Sequence, residues 1–236
     1  MTQNISRRQF LAMTGATIVA RPLLCSVDLV PPMFDHMILG VGDLDRGIAY
    51  MEERTNVRAV FGGVHPGRGT RNALLTLDGQ RYLEIIAPDP EQHVKSWFPE
   101  LPKIREPRLL GWAAHTDDIA ALAKKVRDAG FPIQGPADGS RARPDGKMLR
   151  WKSLRLEDDR GGLLPFFIEW SLDSVHPSVD APAGCRLIRF FATSPQPEYF
   201  AALYNRLGVE VVVERGENAQ LRAQIAGAKG EVELSS

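Results

Sequence analysis

The run His36 to Val41 is apolar and partly β-branched, the signature of a short strand. Asp43 then offers a helix N-cap, and Ile48, Met51 and Val57 recur at roughly helical spacing until Asn56 breaks the pattern. Three short apolar segments follow, Val57 to Phe61, Asn72 to Leu77 and Arg81 to Ala87, separated by glycine-rich or Asp-Gly turns. They read as three further strands. The order then repeats. Leu109 to Thr116 predicts a strand, and Asp118 to Ala129 an amphipathic helix with Ile119, Leu122 and Val126 on one face and Gly130 as its C-cap. Phe131 to Arg143 reads as a loop-rich hairpin arm, and Lys147 to Leu156 and Leu164 to Trp170 as strands. After a linker from Ser171 to Gly184, the segments starting at Arg186, Pro197, Val209, Gln220 and Glu231 give strand, helix and three strands once more. The pattern predicts an α+β fold. Two βαβββ units, residues 33–88 and 108–171, form one domain curled around a cleft, and residues 185–236 form a third unit of the same order.

Alternation along a strand decides which side chains share a face. His36, Ile38 and Gly40 point one way, and the apolar Met37, Leu39 and Val41 point toward the helix. On the fourth strand Leu83 and Ile85 belong to the apolar side, leaving Tyr82, Glu84 and Ile86 opposite. If these strands lie side by side, His36 and Glu84 face one cleft. The same parity places Glu169 and Phe167 toward the cleft, with Ile168 and Trp170 in the core. The stretch Gly62 to Asn72 is rich in glycine, which lets backbone approach a ligand closely, and His65, Arg68, Thr70 and Asn72 can donate to one. A solvated hairpin with ordinary turn glycines is the other reading of that stretch. His93 reads as a surface residue, and His176 has no evident partner.

Composition narrows the partners. Of the 236 residues, 44% are apolar and 25% charged, and 29 basic residues balance 29 acidic ones. Nothing in that balance points to a nucleic acid or an anionic membrane. With Cys25 and Cys185 alone, neither a disulfide framework nor a cysteine zinc site can be built. Residues 1–32 read as an address and linker. Ser6-Arg7-Arg8-Gln9-Phe10-Leu11 resembles a twin-arginine export signal, with Ala12 where a lysine is frequent. The apolar run after it falls short of the about 20 residues that a stable membrane span needs. A periplasmic or secreted protein, exported already folded, is the expectation.

Asp35-His36, Val41-Gly42-Asp43-Leu44 and Tyr82-Leu83-Glu84-Ile85 resemble the first and fourth strands of the vicinal-oxygen-chelate superfamily, which includes glyoxalases, extradiol dioxygenases and bleomycin-resistance proteins. Gly62-Gly63-Val64-His65-Pro66-Gly67-Arg68-Gly69-Thr70-Arg71-Asn72 resembles, more narrowly, the glyoxalase-like domain family. The resemblance covers roughly residues 33–171 and implies binding of a small molecule. It places His36, Glu84 and Glu169 at the first, second and fourth metal-ligand positions, with Glu84 and Glu169 as the carboxylates available for base chemistry. The implied ion is divalent, Zn, Mn, Fe or Ni. It also marks His65, Thr70 and Asn72 for substrate. At the third ligand position stands Trp112, and His115 reaches the cleft only through a bulge. Three readings stay open: a three-ligand metal enzyme of the lyase, isomerase or dioxygenase type, a metal-free binding protein in which Trp112 stacks on the ligand, or a structural or protein-interaction role, which only the extra unit favours. In either of the first two, Arg143, within the basic cluster from Arg141 to Lys152, is the candidate clamp for a carboxylate. The third unit lacks histidine, and its unpartnered face predicts packing on the first two units or pairing with a second copy.

Overall fold

A computed structural model describes residues 29–236 except 95, 97 and 144. The export signal expected within residues 1–32 begins at residues 6–11, outside the described residues. The first unit comprises β1 (Phe34–Gly40), α1 (Leu44–Thr55), β2 (Val60–His65), β3 (Thr70–Thr76) and β4 (Tyr82–Pro88). The second comprises β5 (Arg108–His115), α2 (Ile119–Asp128), β6 (Ile133–Ala142), β7 (Met148–Leu156) and β8 (Phe166–Trp170). Local chemistry sets the helix ends. Asp43 and Asp118 accept from the backbone N–H of Arg46 and Ala121, both at 2.9 Å, and Asn56 closes α1 in the left-handed conformation.

The two units form one eight-stranded sheet in the order β2-β3-β4-β1-β5-β8-β7-β6. β1 runs parallel to β4 and antiparallel to β5, which joins the units at their middle. The sheet curls until its two edges meet. Arg141 on β6 donates to the Gly62 carbonyl on β2, and a Cβ on Gly63 would come within 2.9 Å of the Ala142 carbonyl oxygen. Glycine at 63, held at φ 145°, is what permits the seam.

Two elements differ from the sequence expectation. β2 runs on through Gly62 and Gly63 to His65, so most of the supposed loop is strand, and His65 pairs across the hairpin with Thr70. The supposed arm from 131 to 143 is β6, which pairs along most of its length with β7. Its exposed, polar composition carries little strand signal, and the neighbouring strand supplies the order.

The third unit is β9 (Arg186–Ser194), α3 (Pro197–Leu207), β10 (Val212–Arg215), β11 (Gln220–Gly227) and β12 (Gly230–Ser235). It keeps the element order of the others but pairs differently: β10 lies parallel beside β9, in a separate sheet of order β10-β9-β11-β12. Of the two outcomes expected for it, the structure shows packing on the paired units. Phe190 contacts Phe34 and Trp112 with ring centroids 4.8 and 5.1 Å away, and Leu221, Ile225 and Leu234 join the same core as Met37, Leu39, Leu83 and Ile85. Among the described residues no helix is long and apolar enough to cross a membrane.

Candidate functional site

The cleft on the inner face of the curled sheet is a chamber of about 80 Å³ in which charged groups stand among apolar walls. β1 supplies its first residues. Between Phe34 and His36 the register against β5 slips by one, so Phe34 points into the core while Asp35 and His36 both serve the inner side. Such a bulge re-aims a side chain. The Asp35 carboxylate, 2% exposed, accepts from His36 Nδ1 at 2.6 Å and Trp170 Nε1 at 2.9 Å, and meets His176 Nε2 at 3.3 Å. His115 Nδ1 stands off at 3.7 Å. Burial alone would raise the Asp35 carboxyl, but His115, His176 and His36 outweigh it and hold it well below the usual carboxylate range. An ionised carboxylate only accepts, so the His36 proton facing it sits on Nδ1 and Nε2 turns to the cleft. The ring is wedged between Tyr82, stacked at 4.5 Å, and the edge-on Phe166 at 5.5 Å.

Glu84 faces it from β4. Its Oε2 lies 3.8 Å from His36 Nε2, and its Oε1 lies 3.5 Å from His65 Nε2 and accepts from Asn72 Nδ2 at 2.7 Å. Thr70 Oγ1 holds His65 Nδ1 at 2.9 Å. The structure therefore brings His36, His65, Thr70, Asn72 and Glu84 together. Desolvation would raise the Glu84 carboxyl, but His65, His36, the Asn72 amide and Arg141 outweigh it, so it stays ionised. Burial, with Arg141 and Arg68 acting the same way against Glu84, lowers the His65 imidazole below its ordinary value. The buried Asn72 Oδ1 has no hydrogen-bond partner among the described residues. Gly62 makes room for it, since a Cβ there would fall 2.6 Å from that oxygen.

Three arginines, Arg68, Arg141 and Arg155, line the same chamber as Glu84. Burial lowers all three, yet a guanidinium so placed remains a cation. The cleft thus combines an ionised carboxylate, two imidazoles and an excess of positive charge.

Three expected site residues lie elsewhere. Glu169 faces away from the cleft: its Oε2 accepts from the Ile119 N–H at 2.7 Å at the start of α2, and Lys152 approaches Oε1 at 3.9 Å. Phe166, Ile168 and Trp170 line the chamber instead, and Phe167 is in the core, so the parity read for β8 is reversed. Phe-Phe-Ile is apolar on both faces, and alternation cannot orient it. Trp112 is fully buried in the core, stacked on Phe34, with Nε1 donating to the Leu163 carbonyl at 2.9 Å. Its partner across the ladder is Met37, whereas Ala113 is the residue opposite His36. Arg143 pairs with Asp180 at 2.6 Å and Asp145 at 3.2 Å outside the chamber, and Arg141, two positions earlier on β6, is the arginine that enters it.

Asp35, Arg155 and His176 also line or brace the site, beyond the residues the sequence points to, and of Arg150 and Trp151, which the sequence leaves undecided, Trp151 faces inward. Trp151 shares a face with Ser153 and Arg155, a period-2 signal present in the sequence. His176 reaches Asp35 across 141 residues and leaves no local trace.

These donors do not fit a divalent ion. Glu169 is on the other face and Ala113 has no ligating group. Glu84 Oε1 is engaged by Asn72, and the surrounding guanidiniums oppose a cation. Among the described residues no group of three His, Cys, Asp or Glu is arranged to hold a metal.

A family model described as glyoxalase-like domain matches residues 34–208. Among solved structures, a hypothetical protein from Staphylococcus aureus shares the fold with a TM-score of 0.62 at 18% identity, over 86% of this chain and 84% of that one. Methylmalonyl-CoA epimerase from Mycobacterium tuberculosis aligns with a TM-score of 0.43 at 19% identity, over 63% of this chain and 92% of that one. No curated protein matches the sequence.

Proposed function

Since the chain belongs to the glyoxalase-like domain family, we propose that its cleft binds a small carboxylate-bearing or oxyanionic molecule and moves a proton on it, as an isomerase or lyase does. The observation that carries this reading is the buried, ionised Glu84 set between His36 and His65 in a chamber walled by three arginines. An anion entering the chamber is attracted by Arg68, Arg141 and Arg155. His36 Nε2, its tautomer fixed by Asp35, accepts the proton of a carbon beside a carbonyl. The enolate oxygen so formed is held by the guanidiniums, and the proton returns from the imidazolium or by way of Glu84. Dual orientation by Asp35 and by the flanking Tyr82 and Phe166 keeps the base in place.

Solvent exchange tests this. In D2O, a panel of small 2-oxo and hydroxy acids is incubated with protein and followed by proton NMR. Wild type incorporates deuterium at the carbon beside the carbonyl of at least one acid, and Glu84→Gln and Asp35→Asn each slow incorporation about 100-fold or more. Binding of the acids without any incorporation would make the chain a carrier or sequestering protein. The twin-arginine pattern of residues 6–11 supports export as the folded protein.

A further inference from the structure

Arg141 borders two chambers. On one side is the cleft that holds Glu84, and on the other a cavity of about 270 Å³ bounded by Val60, Phe61, Leu74, Leu149, Pro177 and Ala181. This outer chamber is roofed by the segment between β8 and β9, which β3 pins from below. Thr76 Oγ1 donates to the Ser178 carbonyl at 2.7 Å, and the Thr76 N–H donates to the Pro182 carbonyl at 2.9 Å. Its charged residues neutralise one another, Arg143 with Asp180 and Asp145, so it offers little to a second ionic group. Val60 and Phe61, each 46% exposed, present apolar surface at its mouth.

Resting on the reading of the cleft as an anion site, we infer that the outer chamber is the specificity subsite for an apolar substituent of the same molecule. The substrate class is then a small organic acid carrying a short alkyl or phenyl group. Three facts select that occupant. The inner chamber, at about 80 Å³, holds little beyond the acid group and the reacting carbon. Arg141 lines both chambers, and Leu74 and Leu149 lie on its outer side. The outer volume suits a phenyl or branched alkyl group, given that a cavity of about 150 Å³ already admits benzene.

The test uses acetate, butanoate, hexanoate and phenylacetate as probes, with binding to the full chain read from the tryptophan fluorescence of Trp151 and Trp170. Transfer of each methylene from water to an apolar chamber predicts affinity rising about fourfold per methylene from acetate to hexanoate. The partly exposed pair Val60→Ser and Phe61→Ser should lower that slope by at least about half. Equal affinity for acetate and hexanoate would overturn this inference and leave the anion site standing. A slope unchanged by the two serines would also overturn it, by showing that the chain lies elsewhere. If wild type binds none of the acids, the anion site itself fails and the subsite with it; binding undiminished in Arg141→Met would overturn the subsite alone, since Arg68 and Arg155 still line the inner chamber.

Discussion

Asp35 owes its place to one extra residue in β1, and much of the cleft's electrostatics follows from that bulge. Strict alternation would turn Asp35 into the core beside Met37, an uncompensated charge, and Phe34 toward the cleft. With the bulge, the carboxylate gathers His36, His115, His176 and Trp170. His36 and Glu84 were legible because their strands alternate cleanly between apolar and polar positions. His176 was not, because its partner is far away in the chain, and Arg141 is not separable from Arg143 in the sequence, because parity in a segment that reads as a loop has no anchor. The His115 imidazole is pushed up to about 9 by the Asp35 carboxylate and then Asp117. A raised value means that the folded state holds the proton more tightly. The stabilisation is complete below the ordinary value of 6.5 and is lost as pH rises through about 9. His115→Gln should therefore lower the melting temperature near pH 6, with the gap closing above about pH 9. A gap that stays constant across that range would show that neither Asp35 nor Asp117 holds the His115 proton.

At the level of elements, β8 shows what alternation can and cannot decide. Both faces of Phe166-Phe167-Ile168 are apolar, so only the tertiary partners orient the strand: Ala113 and Ser153 place Phe166 and Ile168 inward, and Leu154 draws Phe167 outward to the core. Glu169 then meets the start of α2, where an unpaired N–H and the helix dipole favour a carboxylate. Glu169→Ala should cost about 1 kcal/mol in denaturant unfolding and leave proton exchange on substrate intact. Loss of exchange without loss of stability would return Glu169 to the site. Helix ends were readable from Asp43, Asn56 and Asp118, whose capping chemistry is local. β6 was not, because an exposed polar strand is ordered by its neighbour.

On the scale of the molecule, the repeat of strand, helix and three strands identified the curled sheet, since two such units complete one cleft. The third unit repeats the order and not the pairing, a difference that element order alone does not carry. Its sheet covers the side of the paired units that holds Phe34 and Trp112, and the core runs through both without a break. A chain ending at residue 184 would expose that surface. It should lose cooperative unfolding and bind a hydrophobic dye, whereas a cooperative, soluble 29–184 fragment would show the third unit to be an appendage. The proposed proton transfer by Glu84 and the Asp35–His36 pair in an arginine-walled chamber needs no divalent ion. It is tested most directly by measuring deuterium incorporation into the active acid after exhaustive chelation, with and without added Zn, Mn, Fe or Ni. The chelated protein should keep an undiminished rate, with no stimulation by any ion. Exchange that vanishes on chelation and returns with one equivalent of metal would contradict it.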